Sequence, residues 1–392
     1  MGRIVMIVTK WTGVEVRALR TYALRCTQPA LAEMTGFSVA VVRKWEGRGS
    51  TITLAGEFAE AMDTLLARLE EHQLARFQAA LSAQPLLSRR SDEVIAAVVS
   101  RLQELRRVLD SADLPDDGPV RPADQLRRAV GIAIHDRVNS NYVHLACELP
   151  ALLTDLHRAR FMCTGSAAAE IASLLVHAYR AADAIADKFG YLDLSARIIG
   201  MMHHAATESD DDLLVATAAY VRTETFFANG QLAIGRRLLE RAAEAIDPTR
   251  SERDAATYGS IHMRAAVVAA REFRSDVARA HLNEAAQVAR RVTENVYLGT
   301  VFGPGSVRIH ELSLGVELGD VGAAISAARS WAPPEKIPAE RRSHFYIDAA
   351  RAYMQTRQRD DARAALRMAE AVAPQHTHAH PYVKEMVERL SC

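Results

Sequence analysis

The sequence lacks most of the features of a secreted, membrane or redox protein. Its four cysteines lie far apart and form no C-x-x-C pair, so we expect no disulfides and a reducing compartment. The apolar run near the start, Ile4 to Val8, is too short for a signal peptide or a membrane span. These absences predict a cytoplasmic protein that has no membrane partner.

Motifs that would identify an enzyme are also missing. The sequence contains no G-x-x-x-x-G-K, no G-x-G-x-x-G, no H-E-x-x-H and no G-x-S-x-G. The Gly-rich segment 302–306 lacks the lysine of a phosphate-binding loop, and we expect it to be a mobile loop between helices. We therefore expect no enzymatic activity, no catalytic residues and no cofactor.

The composition favours helices. Hydrophobic residues make up 49% and charged residues 24% of the 392 residues, which is typical of a globular chain of two or three domains. Alanine, leucine, arginine and glutamate are abundant, whereas aromatic residues reach only 6%. Because the abundant residue types have high helix propensity, we expect an all-α fold.

Charge is unevenly distributed, although the chain is neutral overall. Residues 1–50 contain eight basic and three acidic residues, a net charge of +5, so the remainder carries −5. A basic N-terminal segment on an acidic body would concentrate the attraction for phosphate near the start of the chain.

Residues 14–49 have the helix and turn pattern of a small three-helix domain. Thr27 is a good N-cap for a second helix, Gly36 supplies the turn after it, and Ser38 can cap a third helix. The third helix is expected to bury Val42 and Trp45, which lie three residues apart. Its outer face would then present Val39, Ala40, Arg43 and Lys44.

These residues resemble the XRE/Cro family of phage-repressor-type helix-turn-helix domains. The resemblance implies that residues 1–56 bind double-stranded operator DNA as part of a homodimer on paired half-sites. Gln28, which opens the second helix after Thr27, would contact a phosphate. The residues that the resemblance assigns to base edges are Ser38, Val39, Ala40 and Lys44, with Arg43 on a base or the backbone. Since Val39 and Ala40 are apolar, specificity would depend on Arg43 and Lys44 or on DNA shape.

Residues 57–123 are predicted to form a helical neck and a linker. The first neck helix has a heptad-like apolar seam that would either pack on the N-terminal domain or form a dimer contact. The seam residues are Phe58, Met62, Leu65 and Leu69. A second helix is expected from Asp92 to about Leu109, with Ser91 as its cap. Residues 111–122 contain three prolines and form the predicted linker.

Residues 124–392 are predicted to form successive helical hairpins. The clearest pair has apolar stripes at Tyr346, Ala349, Ala350 and Tyr353, then at Ala362, Leu366 and Ala369. This pair resembles a tetratricopeptide repeat (TPR), and weaker copies precede it. Such a solenoid would provide a concave face for a peptide or small-molecule effector. The same combination of domains resembles a group of bacterial regulators that is common in actinomycetes.

Two sets of residues in this body are candidates for ligand binding. Arg222, Arg264 and Arg308 lie in the first helices of successive pairs and could hold a carboxylate or phosphate. His376, His378 and His380 alternate, so on an extended strand they would point the same way. No nearby cysteine or carboxylate pattern completes a metal site there, and we expect no bound metal.

These patterns predict a DNA-binding transcriptional regulator whose TPR-like domain senses an effector or binds a partner protein. The alternative is an interaction scaffold of TPR type that carries a vestigial helix-turn-helix. An operator-specific footprint on DNA would distinguish the two hypotheses.

Overall fold

Helix-forming residues dominate the chain, and the structure is correspondingly all-α. The computed structural model describes residue 8 and residues 11–48 and 52–391, with side chains described outside residues 81–92 and 391. Most of the apolar run from Ile4 to Val8 lies outside these ranges. Within them, one short two-stranded hairpin accompanies the helices, so the prediction of an all-α chain is confirmed.

The chain forms two compact units. Unit 1 comprises Met1–Asp92 and Glu388–Cys392, and unit 2 comprises Glu93–Val387. The domain limits expected from the sequence were 1–56, 57–123 and 124–392. The predicted neck is therefore divided between the two units.

Two of the short helices of unit 1 begin at the predicted capping residues. The hydroxyl of Thr27 accepts a hydrogen bond from the Ala30 amide, and that of Ser38 accepts one from the Val41 amide, both at 3.3 Å. Gly36 adopts a φ of 76°, the left-handed conformation that favours glycine. The helices are α1 (Gly13–Ala18), a π-helical turn (Leu19–Leu24), α2 (Gln28–Thr35), α3 (Val39–Arg48), α4 (Glu57–Ala67) and the first part of α5 (Glu71–Asp110).

The core of unit 1 joins the N-terminal helices to the neck. The rings of Phe37, Trp45 and Phe58 form an aromatic cluster with centroid separations of 4.9 to 5.5 Å. The neck residues buried in the same core are Met62, Leu65, Leu69 and Phe77. The seam of the first neck helix thus packs on the N-terminal helices of the same chain, which is one of the two predicted alternatives.

The neck differs from the prediction beyond residue 80. Helix α5 runs without a break from Glu71 to Asp110, so the prediction of a separate helix with Ser91 as its cap was wrong. Alanine, leucine, glutamine and arginine are frequent there, and their helix propensity outweighs the preference of a serine for a cap. The predicted linker is irregular, and Arg158 Nη2 contacts Asp116 Oδ1 in it at 2.7 Å.

Unit 2 consists mainly of consecutive helices that pack against one another, most extensively in the pairs α8–α9, α12–α13 and α16–α17. Small alanines at their contacts are fully buried and allow close approach. Besides the second part of α5, the helices are α6 (Ala123–Val138), α7 (Tyr142–Met162), α8 (Ser166–Lys188), α9 (Leu192–Glu208), α10 (Asp212–Ala228), α11 (Leu232–Glu244), α12 (Glu252–Arg271), α13 (Ser275–Ala289), α14 (Pro304–Glu317), α15 (Val321–Ser330), α16 (Ala339–Gln355), α17 (Arg359–Val372), α18 (Pro374–Ala379) and the first part of α19 (Pro381–Ser391).

A β-hairpin lies between α13 and α14. Its strands, β1 (Asn295–Tyr297) and β2 (Thr300–Phe302), are antiparallel, and Val296 pairs with Val301. The Gly-rich segment expected to be a mobile loop is instead the end of β2 and the first turn of α14. The Glu294 carboxylate accepts hydrogen bonds from the amides of that turn, and these contacts fix the segment.

No helix in the described part of the chain has the length and apolar character needed to cross a membrane.

Candidate functional site

Helix α3 has one buried face and one exposed face. Val42 is fully buried and Trp45 is nearly so, whereas Ala40, Arg43 and Lys44 are exposed. These positions agree with the faces expected from the sequence. Val39 is the exception, because it is half-buried against the core of unit 1.

The residues that open the helices differ in their accessibility. Thr27 and Ser38 are exposed, and each uses its hydroxyl as a helix cap. Gln28 is half-buried, and its amide Nε2 donates to Glu46 Oε2 at 2.8 Å. The side chain predicted to contact a phosphate is therefore engaged within unit 1, and its phosphate contact stays a prediction.

Unit 2 contains a cavity of about 600 Å³. Its walls come from helices α6, α8, α10, α12, α16 and α18 and from the turn of the β-hairpin. The basic lining residues are Arg137, Arg180, Lys188, Arg264, Arg271 and Arg341. The acidic lining residues are Asp183, Asp187, Glu224 and Glu340. The volume lies within the range of small-molecule sites, and the lining is richer in charged groups than that of most such sites.

Three arginines surround the Tyr220 ring in this cavity. The guanidinium carbons of Arg180 and Arg264 lie 5.4 and 5.2 Å from the ring centroid, and Arg341 Nη2 lies 3.5 Å from the hydroxyl. Burial alone would raise the pKa of Tyr220, but the three positive charges outweigh it and lower the pKa. Arg264 is also paired with the Glu224 carboxylate at 3.3 Å, which compensates part of the positive charge of the cluster.

The turn of the β-hairpin closes one side of the cavity. Arg180 Nη1 donates to the Leu298 carbonyl at 2.8 Å, and Arg137 donates to the Gly299 carbonyl. Burial, followed by the charge of Arg137, lowers the pKa of Arg180 to about 9. The hairpin carbonyls therefore compensate part of the cost of burying two guanidinium groups.

Two carboxyl groups in the cavity resist ionisation. Burial, followed by the charge of Glu224, raises the pKa of Asp183 well above its usual value and that of Asp187 to about 6. Ser195 Oγ donates to Asp183 Oδ1 at 2.6 Å. A protonated carboxyl can donate a hydrogen bond, so these groups could bind either a donor or an acceptor of a ligand.

Only one of the three arginines predicted to hold an anion lies in this cavity. Arg264 lines it, and its Nε donates to Thr223 Oγ1 at 2.7 Å. Arg222 and Arg308 are exposed and do not line the cavity. Arg308 instead stacks on an indole ring at 4.6 Å. Their helical phases point them away from Arg264, so the structure separates the predicted trio.

The histidines near the C-terminus also differ from the prediction. Residues 374–379 form helix α18 rather than an extended strand, so His376 and His378 point in different directions. His378 Nε2 contacts Glu370 Oε1 at 3.0 Å. His376 and His380 instead lie beside His344 of α16, and all three line the cavity. Sequence analysis missed His344, because it lies on another helix 32 residues before His376.

Comparison of the chain with protein-family models, with curated proteins and with solved structures found no significant match.

Proposed function

We propose that this chain is a sequence-specific DNA-binding transcriptional regulator. Unit 1 would act as an XRE/Cro-type helix-turn-helix domain and bind operator DNA as a homodimer. The observation that carries the proposal is the outer face of α3, where Ala40, Arg43 and Lys44 are exposed opposite the buried Val42 and Trp45. A helix that is anchored on one face and basic on the other can enter the major groove.

The charge on α3 supports the same proposal. Among the side chains that the structure describes, neither Arg43 nor Lys44 has a salt-bridge partner, whereas Arg20 of the same unit is bound to Glu46. The charges of Arg43 and Lys44 are thus available for phosphates, or for the O6 and N7 atoms of guanine. Ala40 could contact a thymine methyl group.

Unit 2 would act as a TPR-like sensor domain. Arg180, Arg264 and Arg341 converge in its cavity, and arginines bind carboxylates and phosphates through paired hydrogen bonds. The effector class that fits is therefore a small molecule or peptide with an anionic group. Asp183 and Asp187 in the same cavity would bind polar groups elsewhere on that effector.

Effector binding would control DNA binding through the arrangement of the dimer. A ligand shifts a conformational equilibrium only when it prefers one state. If the occupied cavity favours one arrangement of unit 2, the two copies of α3 gain or lose the spacing that paired half-sites require. The effector would then change operator affinity without contacting the DNA.

Titration of the purified chain against the DNA upstream of its own coding sequence tests the proposal. We expect a sequence-specific footprint and an affinity that falls steeply with salt, because cations released from phosphates drive binding. The Arg43→Ala/Lys44→Ala double variant should fold normally and lose the footprint.

The matched control is Arg237→Ala/Arg241→Ala. It removes the same charge from two exposed positions on α11, and it should retain the footprint. Wild-type binding that is weak and equal on random DNA would contradict the proposal and favour an interaction scaffold. A footprint that survives the double variant of α3 would show that another surface binds the DNA.

A further inference from the structure

Three histidines from separate positions in the chain meet at one wall of the cavity in unit 2. His344 lies in α16, His376 lies in α18, and His380 follows α18 directly. One ring nitrogen of each lies within 4.8 Å of those of the other two. The cluster is independent of the proposed DNA-binding function, since it lies wholly within unit 2.

Two of the nitrogens in this cluster are buried without a hydrogen-bond partner. They are Nε2 of His376 and Nδ1 of His380, and the His376 side chain as a whole is only 1% exposed. Buried polar atoms are normally paired, because an unsatisfied one costs free energy of about 1–3 kcal/mol. Together with the proximity of the three rings, these unpaired atoms indicate that a cation that binds nitrogen lone pairs belongs there.

A serine fixes the orientation of one ring. Ser343 Oγ lies 3.0 Å from His376 Nδ1, and it also contacts Thr377 Oγ1 at 3.1 Å. This contact occupies Nδ1 and leaves Nε2 free to point toward the other histidines. Metal-binding histidines commonly have such a partner on the second nitrogen, where it sets the ring orientation.

Charged side chains also surround the rings. They are Lys188, Arg341, Arg351 and Glu340. Lys188 Nζ is paired with Glu340 Oε1 at 2.8 Å. Arg351 is paired with Glu317 and Asp348, so two of the three positive charges are compensated by carboxylates.

We propose that His344, His376 and His380 bind one divalent transition-metal ion of the kind that prefers imidazole, such as Zn²⁺. Three nitrogens around a tetrahedral zinc lie about 3.3 Å apart, given Zn–N distances of about 2.0 Å. Rotation of the His344 and His380 rings about χ2, which is a soft torsion, can close the present spacing. The fourth position would face the cavity and accept water or a donor atom of an effector.

Metal titration of the full chain tests this site without DNA. After chelation and dialysis, Zn²⁺ is added and binding is followed by calorimetry, with thermal unfolding recorded with and without the metal. We expect one Zn²⁺ per chain and a higher unfolding temperature when it is bound. His344→Gln and His380→Gln should weaken binding at least about 100-fold, and Ser343→Ala about 10-fold.

The matched control is His378→Gln. His378 lies on the same short helix but contacts Glu370, so its replacement should leave zinc affinity within about twofold. The proposal is wrong if the wild-type chain binds no Zn²⁺, or if His344→Gln and His380→Gln bind it as tightly as His378→Gln does.

A second measurement keeps the proposal testable if those variants fail to fold. X-ray absorption by the zinc-loaded wild-type chain should show three imidazole nitrogens at about 2.0 Å. One imidazole or none would overturn the assignment. If the metal-site proposal fails, the DNA-binding proposal is not affected, because it depends on α3 alone.

Discussion

The carboxylate of Glu46 binds the guanidinium of Arg20 through two hydrogen bonds, of 2.6 Å from Nε and 2.9 Å from Nη2. The two side chains are only 3% and 8% exposed. Because Glu46 also accepts a hydrogen bond from Gln28, it connects α3 to α2 and to the π-helical turn. This connection fixes the orientation of the α3 face proposed to bind DNA.

Replacement of Glu46 by Gln should destabilise unit 1 by about 3 kcal/mol, since it removes the negative charge from a buried ion pair. Urea unfolding followed by tryptophan fluorescence measures the change in a Trp331→Phe background, in which Trp11 and Trp45 of unit 1 are the tryptophans that remain. Glu33→Gln, at an exposed position on α2, is the control and should change stability by less than about 0.5 kcal/mol. Equal stability of the two variants would contradict this account of Glu46.

The β-hairpin can be tested through its contact with α12. A Cβ atom added at Gly259 would lie 2.0 Å from Cζ of the fully buried Phe302, so Gly259→Ala should destabilise unit 2 by about 1–3 kcal/mol. Gly200→Ala is the opposite case, because the site on α9 is open and alanine favours helix by about 0.5–1 kcal/mol. The unfolding temperature should therefore fall for Gly259→Ala and rise for Gly200→Ala. A shift of both temperatures in the same direction would contradict this packing of Phe302 on Gly259.

Anion binding in the cavity can be measured with inorganic phosphate as the probe. We expect phosphate to raise the unfolding temperature of the wild-type chain, because a ligand that binds only the native state stabilises it. Arg264→Met should remove most of that rise. Arg222 and Arg308 lie outside the cavity, so Arg222→Met and Arg308→Met should retain the rise in unfolding temperature. A phosphate effect of equal size in all three variants would show that the anion binds elsewhere.

Acid should destabilise unit 2 through its buried histidines. Burial, followed by the charge of Arg341, lowers the pKa of His310 from 6.5 to about 3. As pH falls from 6.5 toward 3, the unfolded chain takes up a proton that the native chain cannot. The free energy of unfolding therefore falls by about 1.4 kcal/mol per pH unit from this residue alone.

The His310→Gln variant measures that contribution. Between pH 6 and pH 4, its free energy of unfolding should fall less steeply with decreasing pH than that of the wild-type chain. The difference between the two slopes should correspond to about one proton. His203→Gln, at an exposed position on α9, should keep the wild-type slope. Identical slopes in all three chains would mean that His310 takes up its proton before unfolding.

The helices were predictable because their signals are local. Thr27, Gly36 and Ser38 mark helix ends within a few residues, and the hairpin pairs of unit 2 follow the alanine spacing. The β-hairpin also had a local signal, since β-branched and aromatic residues flank the Leu298–Gly299 turn. It was not recognised because the surrounding sequence has a composition that favours helices.

The cavity and its histidine cluster were not predictable, because they depend on which helices meet. Arg180, Arg264 and Arg341 are 161 residues apart from first to last, and nothing in their spacing indicates a shared position. The predicted arginine trio was grouped because its members lie in the first helices of successive pairs. Arg222 and Arg308 nevertheless lie on exposed faces of their helices, so a shared helix position did not bring the three side chains together.

Selection of DNA fragments from a random library by the full chain tests the central claim most directly. The account predicts that the recovered sequences share inverted half-sites whose centres lie about 10 base pairs apart, or a multiple of that spacing, as a homodimer requires. Recovery of no common motif by the wild-type chain would contradict the claim that it is a sequence-specific DNA-binding regulator.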